Sequence, residues 1–360
     1  MQSSIDFIPQ AYPKTLEKGS FTASAPSNIA LVKYWGKKEN QIPANPSLSF
    51  TLKNCKTITK LDFSKIQPNE GFSFDLLFEG APKPAFRPKI QQFFERIAIY
   101  LPFLKTYHFV IDTQNTFPHS SGIASSASGM AALAFTLMGI EKALNPSMTE
   151  DYFFQKASFL ARLGSGSACR SLKGEVVIWG NHAETPSSSN LFGVAYESVH
   201  PYFHRYQDTI LLVDKGEKQV SSTVGHDLMN DHPYAEKRFE QAHHNLTKLK
   251  EILTNGELTE FIQLVESEAL TLHAMMMTSR PYFILMKPNT LEIIHKIWKF
   301  RELTTIPVCF TLDAGANVHV LYPANFQEKV LQFIKNELVV YCQNGQYICD
   351  EIGDGALFLN

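Results

Sequence analysis

Four short segments of this 360-residue sequence collect the residue types that handle phosphate and protons. Residues 118–129 read Pro-His-Ser-Ser-Gly-Ile-Ala-Ser-Ser-Ala-Ser-Gly. They follow a strand candidate and run straight into Met130-Ala131-Ala132-Leu133-Ala134, a strong helix former. Small residues let the backbone approach a ligand, and serine hydroxyls and the free N–H groups of a first helical turn donate to phosphate. The Gly-Lys-Ser/Thr ending of a Walker A loop is missing. Taken alone, the segment reads equally as a serine-capped helix packed closely through its small residues.

The other three segments are as ambiguous singly and more pointed together. Gly164-Ser165-Gly166-Ser167-Ala168-Cys169-Arg170-Ser171 again offers hydroxyls and small residues, now with an arginine able to grip phosphate oxygens as a fork, or else a flexible loop with a surface arginine. In residues 28–38, lysines alternate with apolar and aromatic residues; as a strand, Lys33 and Trp35 would share one face and Tyr34 the other. That pattern suits a cationic wall facing an anionic substrate, or an edge strand whose lysines deter aggregation. Asp313 closes the apolar run 308–312 just before Ala314-Gly315, placed for chemistry or for capping a turn. Buried near Lys33, it would be held ionised, as a base must be.

The elements that must carry these groups can be read from periodicity. Residues 47–52 alternate polar and apolar as a half-buried strand does, and 107–112, 175–179, 307–313 and 317–322 are further strand candidates. Residues 88–101 have amphipathic helical spacing. Ser147 with Glu150 reads as a capping box opening a helix through Phe153 and Leu160, and 234–253, 258–273 and 290–300 read as helices. A boundary falls between Asn190 and Gln207, giving domains 1–200 and 201–360.

Composition narrows the partners. Lysine plus arginine (33) nearly balance aspartate plus glutamate (35), so no global field draws nucleic acid or an anionic membrane and any anion site must be built locally. The five cysteines lack CxxC spacing and read as reduced thiols of a cytosolic protein. Residues 1–13 do not read as a signal peptide, and the apolar stretch 130–140 is too short to span a bilayer. The expectation is a cytoplasmic protein without nucleic-acid or membrane partners.

Together the segments resemble the diphosphomevalonate decarboxylases of the GHMP kinase superfamily. The resemblance rests on Asn28-Ile29-Ala30 through Lys33-Tyr34-Trp35-Gly36-Lys37 with Pro43 and 47–52, on 115–127, on 164–171 with Trp179, on Lys218 through Thr223 with Gly225, and on Thr311 through Asn317. It implies an α+β, two-domain fold, ribosomal S5-like then ferredoxin-like, with the active site in the cleft between them. It implies Asp313, Lys33, Arg170 and Ser222 as catalytic residues, and Tyr34, Trp35, Lys37, Ser165, Ser167 and Arg170 around the substrate. Ser120, Ser121, Gly122, Ile123, Ala124, Ser125 and Ser126 would cradle ATP, with Mg²⁺ beside Ser125. The implied reaction is ATP-dependent decarboxylation of diphosphomevalonate to isopentenyl diphosphate by a homodimer. A monophosphate-specific decarboxylase, a 3-kinase without decarboxylation and a non-catalytic nucleotide-binding relative are the alternatives.

Overall fold

The alternation at 47–52 opens a strand far longer than six residues. The computed structural model describes residues 3–68, 70–118, 123–214 and 222–359, the side chains of Ser222 and Thr223 excepted. In it β1 (Lys18–Val32) and β2 (Ser47–Lys65) pair antiparallel. β3 (Ser73–Phe78) and β4 (Ala81–Pro82) form a hairpin. After α1 (Arg87–Ile97), β5 (Tyr107–Asn115) inserts between β2 and β3, antiparallel to the first and parallel to the second. α2 (Ser125–Leu144) and α3 (Glu150–Gly164) pack on this sheet, and β6 (Val176–Trp179) with β7 (Val194–Ala195) extends it from the Ser47 end of β2.

The second sheet starts with β8 (Gln207–Leu211). Four helices follow: α4 (Ser222–Asp227), α5 (Ala235–Asn255), α6 (Leu258–Thr278) and α7 (Pro288–Thr304). β9 (Cys309–Thr311), β10 (Val318–Tyr322), α8 (Gln327–Phe333) and β11 (Tyr347–Glu351) complete an antiparallel sheet of order β11-β8-β10-β9. β12 (Leu357–Leu359) then leaves this half of the chain and pairs with β1. The division expected at 200/201 falls between β7 and β8, and the last strand crosses it.

α2 is apolar almost all round, and such a helix belongs in a core. By length and composition it could cross a membrane, which the shorter stretch 130–140 did not announce, yet 83% of its most apolar window is buried in protein. The layer that matters for the site lies elsewhere. Ile29, Leu31, Leu48 and Phe50 of the first sheet share one apolar cluster with Leu246, Leu249, Phe261 and Val265 of α5 and α6. A dry seam of that kind sets the two halves against each other, and it places the end of β1 where they meet.

Two local expectations change. The cap of α3 is Thr149, whose hydroxyl accepts the Tyr152 N–H at 3.3 Å, while Ser147 donates to Asn145 Oδ1. Glu150 is therefore the first helical residue, two positions too early for the capping box. β1 ends at Val32, so Lys33, Tyr34 and Trp35 do not alternate across a strand. Nor is β1 an edge, since it lies between β12 and β2.

Candidate active site

Just beyond β1, side chains replace the strand ladder. The Lys33 N–H donates to Glu268 Oε2 at 2.8 Å, and its carbonyl accepts from Asn45 Nδ2 at 2.9 Å and Arg238 Nη2 at 3.2 Å. With its backbone fixed, the Lys33 side chain, 1% exposed, reaches Asp313 Oδ1 at 3.1 Å. Asp313 stands in the turn between β9 and β10 and is one-third exposed, so the carboxylate is the member of the pair that a ligand can reach. Burial pulls the Lys33 ammonium below the ordinary lysine range, and the charge of Asp313 opposes that fall. An aggregation-deterring surface lysine does not fit this position.

Arg170 supplies a second buried cation. It lies in the 3₁₀ turn after α3, where Nε donates to Asn28 Oδ1 at 3.3 Å and Nη1 to Ser47 Oγ at 2.5 Å. Asn28 is locked in turn by donating to Ser167 O and Ser171 Oγ. The β1 register shift after Pro26, a residue without an N–H for the ladder, immediately precedes it. Burial weakens the hold of Arg170 on its proton, and the charge of Asp313 acts against this, so both cations and the carboxylate lie within mutual electrostatic reach.

Tyr34 forms a wall beside them. Its ring packs on Trp179 (centroids 4.7 Å apart) and on His226 (4.2 Å). Its buried hydroxyl has no hydrogen-bond partner among the described residues, an orphan donor that an anionic ligand would satisfy. Gly166 faces that hydroxyl, and a Cβ there would lie 2.9 Å from it. His226 accepts the Gly36 N–H on Nδ1 at 3.0 Å and also packs, with its ring tilted, against buried Trp35. Gly225 packs so closely on Trp35 that a Cβ would come within 2.6 Å. Burial, then the charges of Lys37 and Arg170, push the His226 imidazole down to about 3, so it is neutral. Lys37 is largely buried and 3.8 Å from Asp227.

The start of α2 adjoins this wall. Ala124 takes a left-handed φ of 47° ahead of the helix, and the Ile123 carbonyl accepts from Ser27 Oγ at 2.6 Å, tying the loop to β1. Ser126 receives Lys89 Nζ at 2.5 Å and donates to Ser165 Oγ at 3.4 Å, which joins the two serine-rich segments. Beside Ser125 and Ser126 opens a cavity of about 270 Å³ lined by Phe78, Phe86, Ile111 and Leu133, with Thr57 and Asn115 as polar groups. Ser120, Ser121 and Gly122 lie outside the described residues, as do the side chain of Ser222 and the stretch that carries Lys218.

Two serine-rich segments thus adjoin a buried lysine paired with a reachable aspartate, and comparison with known proteins gives the arrangement a family. The model of the diphosphomevalonate decarboxylase-like N-terminal domain matches residues 25–190, and that of the mevalonate 5-diphosphate decarboxylase C-terminal domain matches residues 209–353. This chain belongs to the diphosphomevalonate decarboxylase family. The Saccharomyces cerevisiae diphosphomevalonate decarboxylase is 31% identical over 339 residues, covering 87% of this chain and 81% of that protein. The Enterococcus faecalis mevalonate diphosphate decarboxylase superposes with a TM-score of 0.80 at 26% identity, over 95% of this chain and 99% of that one. A structure of MDDEF in complex with MVAPP, AMPPCP and magnesium gives a TM-score of 0.81 at 26% identity, with 95% and 99% covered. The α+β, two-domain GHMP-type architecture is thus the family's own.

Sequence reasoning missed Arg238 and Glu268 and gave His273, expected on a helix in the core or at the cleft rim, no role in this candidate site. Arg238 and Glu268 form a fully buried ion pair behind Lys33, at 2.5 and 2.9 Å. His273, on α6, donates from Nε2 to the Asp313 carbonyl at 3.2 Å and is brought down to about 4 by burial. A signal was present. Glu268 interrupts the apolar stripe Leu264, Val265, Ala269, Leu272, and Arg238 interrupts Ala235, Ala242, Leu246. A charge inside such a stripe needs a buried partner.

Proposed function

We propose that this chain converts mevalonate 5-diphosphate and ATP to isopentenyl diphosphate, ADP, phosphate and carbon dioxide. The observation that carries the reading is the Lys33–Asp313 contact, a buried cation holding a reachable carboxylate at the junction of the two halves. Asp313 orients the substrate's tertiary 3-hydroxyl and takes its proton as the phosphoryl group is transferred. Lys33 keeps that carboxylate ionised. In this reading Arg170 takes the substrate carboxylate, and Ser165, Ser167, Lys37 and the Tyr34 hydroxyl, orphaned among the described residues, take the diphosphate. Hydroxide is a poor leaving group and phosphate a good one. The 3-phosphate departs with its C–O electrons while the C–C electrons of the leaving carboxylate close the new double bond.

Nucleotide fits the first turn of α2, with Ser125 and Ser126 on phosphates and the aromatic-lined cavity beside them for the nucleoside. The hydroxyl of Ser125 suits Mg²⁺, which takes oxygen ligands and keeps much of its shell on water and phosphates; when bound it neutralises phosphate charge. A cytoplasmic location accords with five unpaired cysteines, four of them buried. A homodimer is the expected assembly; sedimentation at the mass of one chain would overturn it.

The deciding experiment supplies ATP, Mg²⁺ and carboxyl-labelled mevalonate 5-diphosphate and follows ADP and carbon dioxide together. Equal release establishes the decarboxylase. ADP alone would make the protein a 3-kinase, and faster turnover of the monophosphate would change the substrate.

A further inference from the structure

Helix α6 carries three buried titratable side chains, Glu266, Glu268 and His273, to which the reaction above assigns no task. Each grips a different part of the frame around the reacting pair. Glu266 and His273 are seven residues apart, two helical turns, and so lie on one face. Glu266 accepts from Arg301 Nη1 at 2.7 Å and from Trp298 Nε1 at 2.9 Å. The same Arg301 nitrogen donates to Val308 O at 2.7 Å, one residue before β9 begins. His273 donates to the Asp313 carbonyl at 3.2 Å, two residues after β9 ends. One face of α6 therefore holds β9 and its exit turn at both ends. Glu268 projects from nearly the opposite side of the helix and accepts the backbone N–H of Lys33 at 2.8 Å.

We propose that α6 sets the spacing of the reacting pair, with His273 the positioning residue for Asp313 and Glu268 the positioning residue for Lys33. The inference rests on the catalytic reading of that pair. Lys33 and Asp313 are 280 positions apart in sequence and follow strands of different sheets, so their side-chain contact alone leaves both main chains free to shift. Anchoring both backbones to one rigid helix removes that freedom. The chemistry of the two anchors suits the task. Glu268 is held as a fixed acceptor by Arg238 and by Asn245 Nδ2 at 2.5 Å. His273 faces a carbonyl, which can only accept, so its proton sits on Nε2 and it orients Asp313 without adding charge. Neither anchor is placed on the substrate, so loosening His273 lowers kcat and leaves both KM values in place.

The test compares His273→Leu, His273→Gln and wild type in the ADP and carbon dioxide assay, with circular dichroism and melting as controls. Glutamine keeps an N–H that reaches the same carbonyl; leucine does not. We expect kcat of His273→Leu to fall at least tenfold with both KM values within twofold, and His273→Gln to recover to within about threefold of wild type. If the leucine variant does not fold, His273→Asn replaces it, since its amide is one methylene too short. Unchanged kcat in the leucine variant, or a glutamine variant no better than leucine, would overturn the proposal. So would a loss that tracks the melting temperature and raises KM and lowers kcat alike. A wild type that releases neither product refutes the catalytic reading instead.

Discussion

Lys33 Nζ and Asp313 Oδ1 meet at 3.1 Å although one side chain is sealed in protein and the other is one-third open to solvent. The asymmetry makes the contact useful. A lysine fully withdrawn from water needs its counter-ion, and a carboxylate that must meet a substrate needs an open side. Asp313→Asn should therefore lower kcat by about 10²–10⁴ while both KM values change little. Steady-state ADP release checks this, and turnover within threefold of wild type would remove Asp313 from the chemistry.

The same asymmetry fixes the alkaline limb of the pH profile. Lys33 is depressed below the ordinary lysine range by burial, so it loses its proton at a lower pH than an exposed lysine would. Once neutral it no longer holds Asp313, and kcat/KM should fall as pH rises through that point. Lys33→Arg, always charged, should abolish this limb even if its overall rate is lower. A profile from pH 7 to 10.5 with an identical alkaline limb in the arginine variant would assign the limb to another group.

Gly166 gives a sharper test of the tyrosine wall. A methyl group there would sit 2.9 Å from the Tyr34 hydroxyl and 3.1 Å from the Trp179 ring. Gly166→Ala should push Tyr34 out of its seat and raise KM for the diphosphate substrate about tenfold, with KM for ATP within twofold. Equal effects on both substrates would mean that the loop, and not the tyrosine, had moved.

Much of this site was legible because its chemistry is local. Serine- and glycine-rich turns, lysines beside aromatics and an aspartate at a strand end announce themselves within a few residues. What could not be read depends on partners far along the chain. Nothing near Lys33 tells that its N–H is bound 235 positions away by Glu268, and His226 shows as a buried spacer between Tyr34 and Trp35 only once α4 docks. The tail was opaque for another reason. Three residues, Leu357-Phe358-Leu359, are too few for periodicity to speak, and their pairing partner is β1, the first strand of the chain.

That tail should be structural and nothing more. Phe358 packs against Phe21, Phe135 and Phe153 while remaining about 39% exposed. Phe358→Ala should cost about 1–2 kcal/mol, less than a fully buried phenylalanine, and lower the melting temperature by a few degrees. KM and kcat at 25 °C should stay at wild-type values. A large kinetic effect would show that the strand influences the cleft.

Acid should weaken the fold through two imidazoles. His226 and His273 are held down to about 3 and about 4 by burial, whereas in the unfolded chain each takes its proton near 6.5. Above that value both states are neutral at these positions and the stability contribution is complete. Between about pH 6.5 and 4 the unfolded chain binds two protons that the folded chain refuses, so stability falls as pH drops. The slope contributed is up to about 1.4 kcal/mol per pH unit for each histidine. Urea denaturation at pH 7.5, 6 and 5 measures it, and His273→Gln should flatten the curve by one proton's worth in this window. If the variant keeps the wild-type slope, His273 is not buried as a neutral group and its bond to Asp313 is not the one described.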